Sequence, residues 1–81
     1  MTLEEIIERY SEEEFLKADG FDRAIIGVEP NSMVLVYDRQ LMIDVLITDD
    51  AMSEEDAIEY LEYNVYCAYI GEKTPLYIET I

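Results

Sequence analysis

The chain has 81 residues, of which 51% are hydrophobic, and it carries 20 Asp and Glu against 5 Lys and Arg, for a formal charge of −15 at pH 7. This length predicts a single folded domain, residues 1–81, because the apolar content is that of a globular protein. The charge argues against binding nucleic acid or anionic membranes, and the absence of His removes the usual general base and the commonest transition-metal ligand.

The N-terminal quarter predicts two short helices. Thr2 followed by Glu5 is a capping box, and the apolar residues after it recur at helical spacing. Ser11 followed by Glu14 repeats the capping pattern, so a second helix is predicted to begin at Ser11. It is predicted to end at Asp19-Gly20, since Gly is the usual left-handed cap of a helix.

The next segment predicts a β-hairpin. The runs from Arg23 to Glu29 and from Met33 to Asp38 are rich in apolar and β-branched residues, and Pro30-Asn31-Ser32 between them is typical of a turn. Apolar residues occupy both faces of these runs. The sheet is therefore predicted to be partly covered on both sides, or to contain one of these strands at its centre.

A buried helix is predicted over Arg39 to Thr48, because this segment is apolar almost all round. A strand is the alternative, since Ile and Val are abundant here. Helix is favoured because the Asp49-Asp50 break lies where a link between two helices would stand. Asp38 is predicted to cap this helix, and Asp44 to form a polar seam within it.

Ser53 and the three acids after it predict the start of another helix, with a Ser cap and negative charge in the first turn. Its predicted core stripe consists of Ala57, Ile58, Leu61, Val65 and Ala68. The opposite stripe consists of Glu55, Glu59 and Glu62. Gly71 is predicted to end this helix, and Pro75 to introduce a last strand from Leu76 to Glu79.

The predicted order of elements is α, β, β, α, α, β. It indicates an α+β fold, with a small antiparallel sheet of about three strands and helices packed on it.

Three segments of the chain resemble a known family. They are DGFDRAIIGV from Asp19, VYD at 36–38, and MSEEDAIEYLEYNVYCAYIGEKTPLYI from Met52. Together they resemble a family of small acidic uncharacterised proteins encoded by tailed bacteriophages. The resemblance covers about residues 19–78, and EYN…AYIGE.TP is its most specific part. It implies an origin in a phage that infects bacteria, and it implies no activity, cofactor or site residue.

The expected compartment is the cytoplasm of the bacterial host. Cys67 is the only cysteine, so no disulfide within the chain is expected, and a secreted domain this small would usually carry several. The first residues, MTLEEIIERY, lack the basic and apolar regions of a signal peptide. No uncharged run is long enough to span a bilayer.

Enzymatic chemistry is not expected. The densest acidic segment, DDAMSEED at 49–56, could offer oxygen ligands to Ca²⁺ or Mg²⁺, but it lacks the glycine turn of a calcium loop. A pair of carboxylates for acid–base catalysis would need one of them in a pocket, and the acids fall on predicted outer faces. Cys67 has no His partner and is predicted to be a small buried hydrophobe. No catalytic residue, metal or cofactor is therefore predicted.

Four tyrosines recur at every third residue: Tyr60, Tyr63, Tyr66 and Tyr69. On a helix such residues drift around the axis, so they cannot all be buried. Tyr69 is expected on the core stripe, and Tyr63 and Tyr66 beside Glu59 and Glu62. Tyrosine is enriched at protein interfaces, which favours a binding role. Alternatively, the rings cover the edge of the sheet or pack on the first helix.

The charge leads to the functional hypothesis. We expect a non-enzymatic protein that binds a host or phage protein with a basic surface, with acidic helix faces that imitate nucleic acid. The predicted partner-binding residues are Glu4, Glu5, Glu8, Glu12, Glu55, Glu59 and Glu62, with Tyr63 and Tyr66 as anchors. One helix presents carboxylates more sparsely than DNA presents phosphates, so two neighbouring acidic faces would be needed. The alternative is an assembly module that forms a homodimer, in which case the charge only aids solubility.

Overall fold

The structure is a computed structural model that describes residues 2–68 and 71–80. Within these residues it contains three α-helices and a three-stranded mixed sheet. The α+β class and the predicted order of elements are therefore confirmed. The elements are α1 (Leu3–Arg9), β1 (Ile25–Glu29), β2 (Val34–Asp38), α2 (Arg39–Asp50), α3 (Glu54–Leu61) and β3 (Leu76–Ile78).

Side-chain caps begin all three helices where the sequence predicts them. Thr2, Asp38 and Ser53 each accept a hydrogen bond from a backbone N–H in the first turn of α1, α2 and α3. At α1 the capping box is complete, because the N–H of Glu5 donates to Thr2 Oγ1 at 3.2 Å and the N–H of Thr2 donates to Glu5 Oε1 at 3.4 Å. These bonds satisfy backbone donors that have no partner within the helix.

The second predicted helix, from Ser11, is absent. Residues 11–12 form a turn and residues 13–18 have no regular structure. The capping pattern is present there, but Phe15 is only half-buried and Leu16 is exposed, so a helix would have almost no apolar face to bury. Gly20, with φ of 90°, instead belongs to a turn that leads into a short 3₁₀ helix, Asp22–Ala24.

β2 is the central strand of the sheet, as one of the sequence-based alternatives proposed. β1 pairs with it in antiparallel fashion, as a hairpin with an irregularity between Ile25 and Gly27. β3 pairs with β2 in parallel fashion, with Val36 opposite Leu76. The prediction of an antiparallel sheet is thus wrong for β3. The physical reason is the long crossover through α2 and α3, which returns the chain in the direction of β2.

The core lies on one face of the sheet. Leu35 and Tyr37 of β2 are fully buried there. They belong to a single cluster with residues of all three helices: Ile6, Met42, Val45, Leu46, Ala57 and Leu61. The side chains that alternate with them, including Val36, Leu76 and Ile78, lie outside this cluster on the opposite face of the sheet.

α3 continues into a π-helical segment, Glu62–Tyr66, which ends at Cys67 before the predicted end at Gly71. The side-chain nitrogen of Asn64 donates to the carbonyl oxygen of Tyr60 at 3.0 Å, and a side chain bonded to this carbonyl disturbs the regular helical pattern. The predicted core stripe is buried at Ala57 and Leu61 but exposed at its last member, Ala68.

Candidate functional site

The seven predicted acidic residues are all exposed. They form two groups, which we call the α1 face and the α3 face. The α1 face consists of Glu4, Glu5 and Glu8 on α1 together with Glu12, which lies in the turn after the helix and not on a helix as expected. The α3 face consists of Glu55 and Glu59 on α3 together with Glu62 at the start of the π-helical segment. Different parts of the fold hold the two faces, because α1 packs mainly on β1, whereas α3 packs on α2.

The basic side chains leave these two faces unneutralised. Within the described residues, three ion pairs form, and none involves the seven acids: Lys17–Asp22 at 3.4 Å, Arg23–Asp49 at 2.5 Å and Lys73–Glu13 at 3.3 Å. All three lie at the surface, where such pairs contribute about 1 kcal/mol or less to stability. The charge of the α1 and α3 faces is therefore available to a partner.

Tyr63 stands on the π-helical segment beside the α3 face and has 74% of its surface exposed, the largest value among the described large hydrophobic residues. Its position four residues after Glu59 places the ring next to that carboxylate on the helix surface. The structure therefore brings together the α3 face and one of the two predicted anchors.

Tyr66, the other predicted anchor, is half-buried and makes contacts within the fold, and its role as an anchor stays a prediction. Its ring centroid lies 5.3 Å from that of Tyr77 on β3, and the guanidinium carbon of Arg39 lies 4.3 Å from its ring centroid. Arg39 also donates from Nε to the carbonyl oxygen of Tyr77 at 3.0 Å. Tyr66 thus joins α2, the π-helical segment and β3. Tyr69, expected on the core stripe, lies outside the described residues.

Burial raises the pKa of the Tyr66 phenol, and the nearby positive charge of Arg39 opposes this shift. The phenol oxygen is buried without a hydrogen-bond partner among the described residues. The contacts of Tyr66 are those of a packing residue. They agree with the alternative stated for the tyrosines, that the rings cover the edge of the sheet, because Tyr77 lies on the edge strand β3.

Tyr60 is a surface residue that the sequence-based prediction of the site missed. It has 42% of its surface exposed and shares a shallow cleft with Asp56, Glu59 and Tyr63. The available signal was its spacing, since Tyr60 precedes Tyr63 by three residues and so lies on the same side of the helix. The α3 face therefore consists of carboxylates bordered by two exposed tyrosines.

Cys67 is exposed, so the prediction that it is a buried hydrophobe is wrong. Its thiol donates to the carbonyl oxygen of Tyr63 at 3.2 Å, one turn earlier. Across residues 2–68 and 71–80, no group of three Cys, Asp or Glu side chains is placed to hold a metal ion. In the same residues, no helix has the length and apolar character needed to cross a bilayer.

The chain was compared with protein-family models, with curated proteins and with solved structures, and none of them matches it. The candidate site is therefore assigned from the residues of this chain alone. It consists of the α3 face together with Tyr60 and Tyr63, and of the separate α1 face.

Proposed function

We propose that this chain is a non-enzymatic protein that acts by stoichiometric binding of a protein with a basic surface. The observation that supports this is the α3 face, where exposed carboxylates without a basic partner in the described residues adjoin the exposed ring of Tyr63. A surface of one charge attracts an oppositely charged partner over a long range and accelerates its association. Tyr63 adds apolar contact area and a phenol that can form hydrogen bonds.

The favoured partner is a host protein that binds DNA or RNA, including a defence protein, in the cytoplasm of a bacterium infected by a phage. Supporting this choice are the acidic charge and the resemblance to phage-encoded proteins. Glu55 and Glu59 are about 6 Å apart along the helix axis, whereas the phosphates of one DNA strand are about 3.4 Å apart. Imitation of DNA would therefore require the α1 face to contribute charge in addition to the α3 face.

The test of this proposal uses two variants with the same change in charge. One is Glu55→Lys/Glu59→Lys/Glu62→Lys on the α3 face, and the other is Glu4→Lys/Glu8→Lys/Glu12→Lys on the α1 face, which tests whether the α1 face also contributes charge to binding. Glu5 is left unchanged because it belongs to the capping box of α1. Circular dichroism and thermal unfolding establish that each variant folds.

Each tagged protein is used to capture partners from a nuclease-treated bacterial lysate, with elution by a salt gradient. The expected result is a basic nucleic-acid-binding protein that leaves at moderate salt, that DNA displaces, and that the α3 variant no longer captures. Unchanged capture by the α3 variant would reject this choice of face. A partner that is indifferent to salt and DNA would reject imitation of nucleic acid.

Self-association is a second candidate function, favoured by the edge of the sheet. Leu76 and Ile78 of β3 are 42% and 39% exposed, on the same face as Val36. An edge strand has unpaired backbone groups that a second strand can use. A charge of −15 on each copy opposes such a dimer. Measurement of mass in solution separates the two functions, because a dimer that persists at micromolar concentration at both low and high salt supports self-association.

A further inference from the structure

A groove crosses α3 and the π-helical segment. It consists of two adjoining clefts, both of which include Tyr60 and Asn64 in their walls. The first cleft adds Met52, Asp56, Glu59 and Tyr63. The second lies where residues 17–21, the π-helical segment and β3 meet, and its apolar walls include Phe21, Val65 and Pro75. The two clefts meet at Tyr60 and Asn64, and we call them together the α3 groove.

The two ends of the α3 groove differ in chemistry. At the first end, the carboxylates of Asp56 and Glu59 adjoin the exposed rings of Tyr60 and Tyr63, an arrangement that suits an arginine. The guanidinium can pair with a carboxylate while its plane lies on an aromatic ring.

The second end is apolar and suits an aliphatic side chain. Pro75 is buried there, and Val65 and Tyr77 are half-buried. Lys17 and Asp19 also border this end, and Lys17 is paired with Asp22 at 3.4 Å. The larger apolar wall of this end distinguishes it from the acidic end and gives the groove a direction.

We propose that the α3 groove binds an extended peptide segment of a protein partner, with an arginine at the acidic end and an aliphatic side chain at the apolar end. This inference rests on the proposed function, because it names the part of the basic partner that the chain contacts. Charge complementarity selects this occupant, since a second copy would bring a further charge of −15.

The test is a selection of random twelve-residue displayed peptides on the whole protein at moderate salt. Enriched peptides are then synthesised with a fluorescent label and titrated against four proteins: the unchanged chain, Glu59→Lys, Tyr60→Ala and Asp50→Lys. Asp50→Lys is the matched control, because Asp50 is exposed at the end of α2 and has the same charge as Glu59 but belongs neither to the groove wall nor to the α1 and α3 faces. Thermal unfolding establishes that each variant folds.

We expect enriched peptides to carry an arginine and an aliphatic residue at a recurring spacing. Their affinity should fall about tenfold or more in Glu59→Lys and in Tyr60→Ala, and change by less than about threefold in Asp50→Lys. The proposal that the α3 groove binds such a peptide would be overturned by any of three results. These are no enriched peptides, enriched peptides without this pair, or equal losses of affinity in all three variants.

Failure of the groove and failure of the proposed function are distinguishable. If the triple α3 variant loses its captured partner while the affinity of the selected peptides is unchanged in Glu59→Lys and Tyr60→Ala, only the proposal for the groove is rejected. If the triple α3 variant still captures the partner at full affinity, the α3 face is rejected as the surface of the proposed function, whatever the selected peptides show.

Discussion

The phenol oxygen of Tyr37 accepts a hydrogen bond from the backbone N–H of Ala18 at 2.9 Å. Tyr37 lies on the central strand β2 and is fully buried, whereas Ala18 ends the segment without regular structure that follows α1. Burial raises the pKa of Tyr37 to about 12, so its phenol is neutral at neutral pH. This bond attaches an irregular part of the chain to the middle of the sheet.

Tyr37→Phe should destabilise the protein by about 1–2 kcal/mol, because it leaves the half-buried N–H of Ala18 without its partner. Chemical denaturation measures the loss in the free energy of unfolding. Native-state hydrogen exchange should show faster exchange at the Ala18 amide in particular. Unchanged exchange at this amide would show that the hydrogen bond does not hold the segment in place.

Tyr66→Phe should have the opposite effect from Tyr37→Phe and leave stability unchanged or raise it by up to about 1 kcal/mol. The hydroxyl of Tyr66 is buried without a hydrogen-bond partner among the described residues, and removing such a group removes its desolvation cost. The ring and its contact with Arg39 remain. The same denaturation experiment applies, and a loss of more than about 1 kcal/mol would mean that the hydroxyl has a favourable partner in solution.

Glu29 should give the β-hairpin a pH-dependent contribution to stability. Hydrogen bonds from the side chain and N–H of Ser32, and from the N–H of Asn31, hold the pKa of Glu29 below its ordinary value of 4.5. A lowered pKa in the folded state means that the contribution is present above the ordinary value and is lost as pH falls through the folded-state value.

Glu29→Gln should therefore lower the unfolding temperature at pH 7, and the difference from the unchanged chain should shrink as pH falls below 4.5 and through the lower folded-state value. Thermal unfolding followed by circular dichroism across this range measures the effect. Glu54→Gln, an exposed residue for which no hydrogen bond is described, provides the control with the same loss of charge. A difference that persists at low pH would contradict the role of the carboxylate.

Ala51→Gly should stabilise the protein. Ala51 ends α2 with φ of 54° and ψ of 31°, a left-handed conformation that costs a residue with a Cβ about 1–2 kcal/mol. Glycine avoids this cost but gains freedom in the unfolded chain, so the expected net gain is about 0.5–1 kcal/mol. Chemical denaturation decides, and a loss of stability would show that the strain at Ala51 is smaller than the entropy that glycine adds.

Added salt should raise the unfolding temperature. With 20 acidic and 5 basic side chains, and with the described ion pairs confined to the surface, repulsion among like charges opposes the folded state. Thermal unfolding between low salt and about 0.5 M sodium chloride tests this, with a Debye length that shrinks to a few ångströms. A flat or falling response would mean that the acids are better compensated than the five basic residues suggest.

Features that depend on neighbouring residues in the sequence could be predicted. The capping signals at Thr2, Asp38 and Ser53 are local, and all three helices begin there. Ser11 shows the limit of a local signal, because a cap without a buried face does not make a helix. The exposure of the α3 face could also be predicted, because helical periodicity alone places its glutamates away from the buried Leu61.

Features that depend on distant parts of the chain could not be predicted. The parallel pairing of β3 with β2 joins Val36 to Leu76, and no local pattern distinguishes it from an antiparallel return. The half-buried position of Tyr66 depends on contacts with Arg39 and Tyr77. The spacing of Tyr60 from Tyr63 places both on the same side of the helix, but the cleft around them depends on the fold.

Arg39 contacts both β3 and the π-helical segment, so loss of one set of contacts affects the other segment. It bonds the carbonyl of Tyr77 and lies over the ring of Tyr66, and β3 has only three residues, paired with a strand forty positions earlier. Detachment of β3 would remove these contacts together, whereas the β1–β2 hairpin closes through residues near in sequence. Such segments open as cooperative units of low local stability. The part of the molecule that borders the apolar end of the α3 groove is thus the part expected to unfold first, while the hairpin and α2 keep their structure.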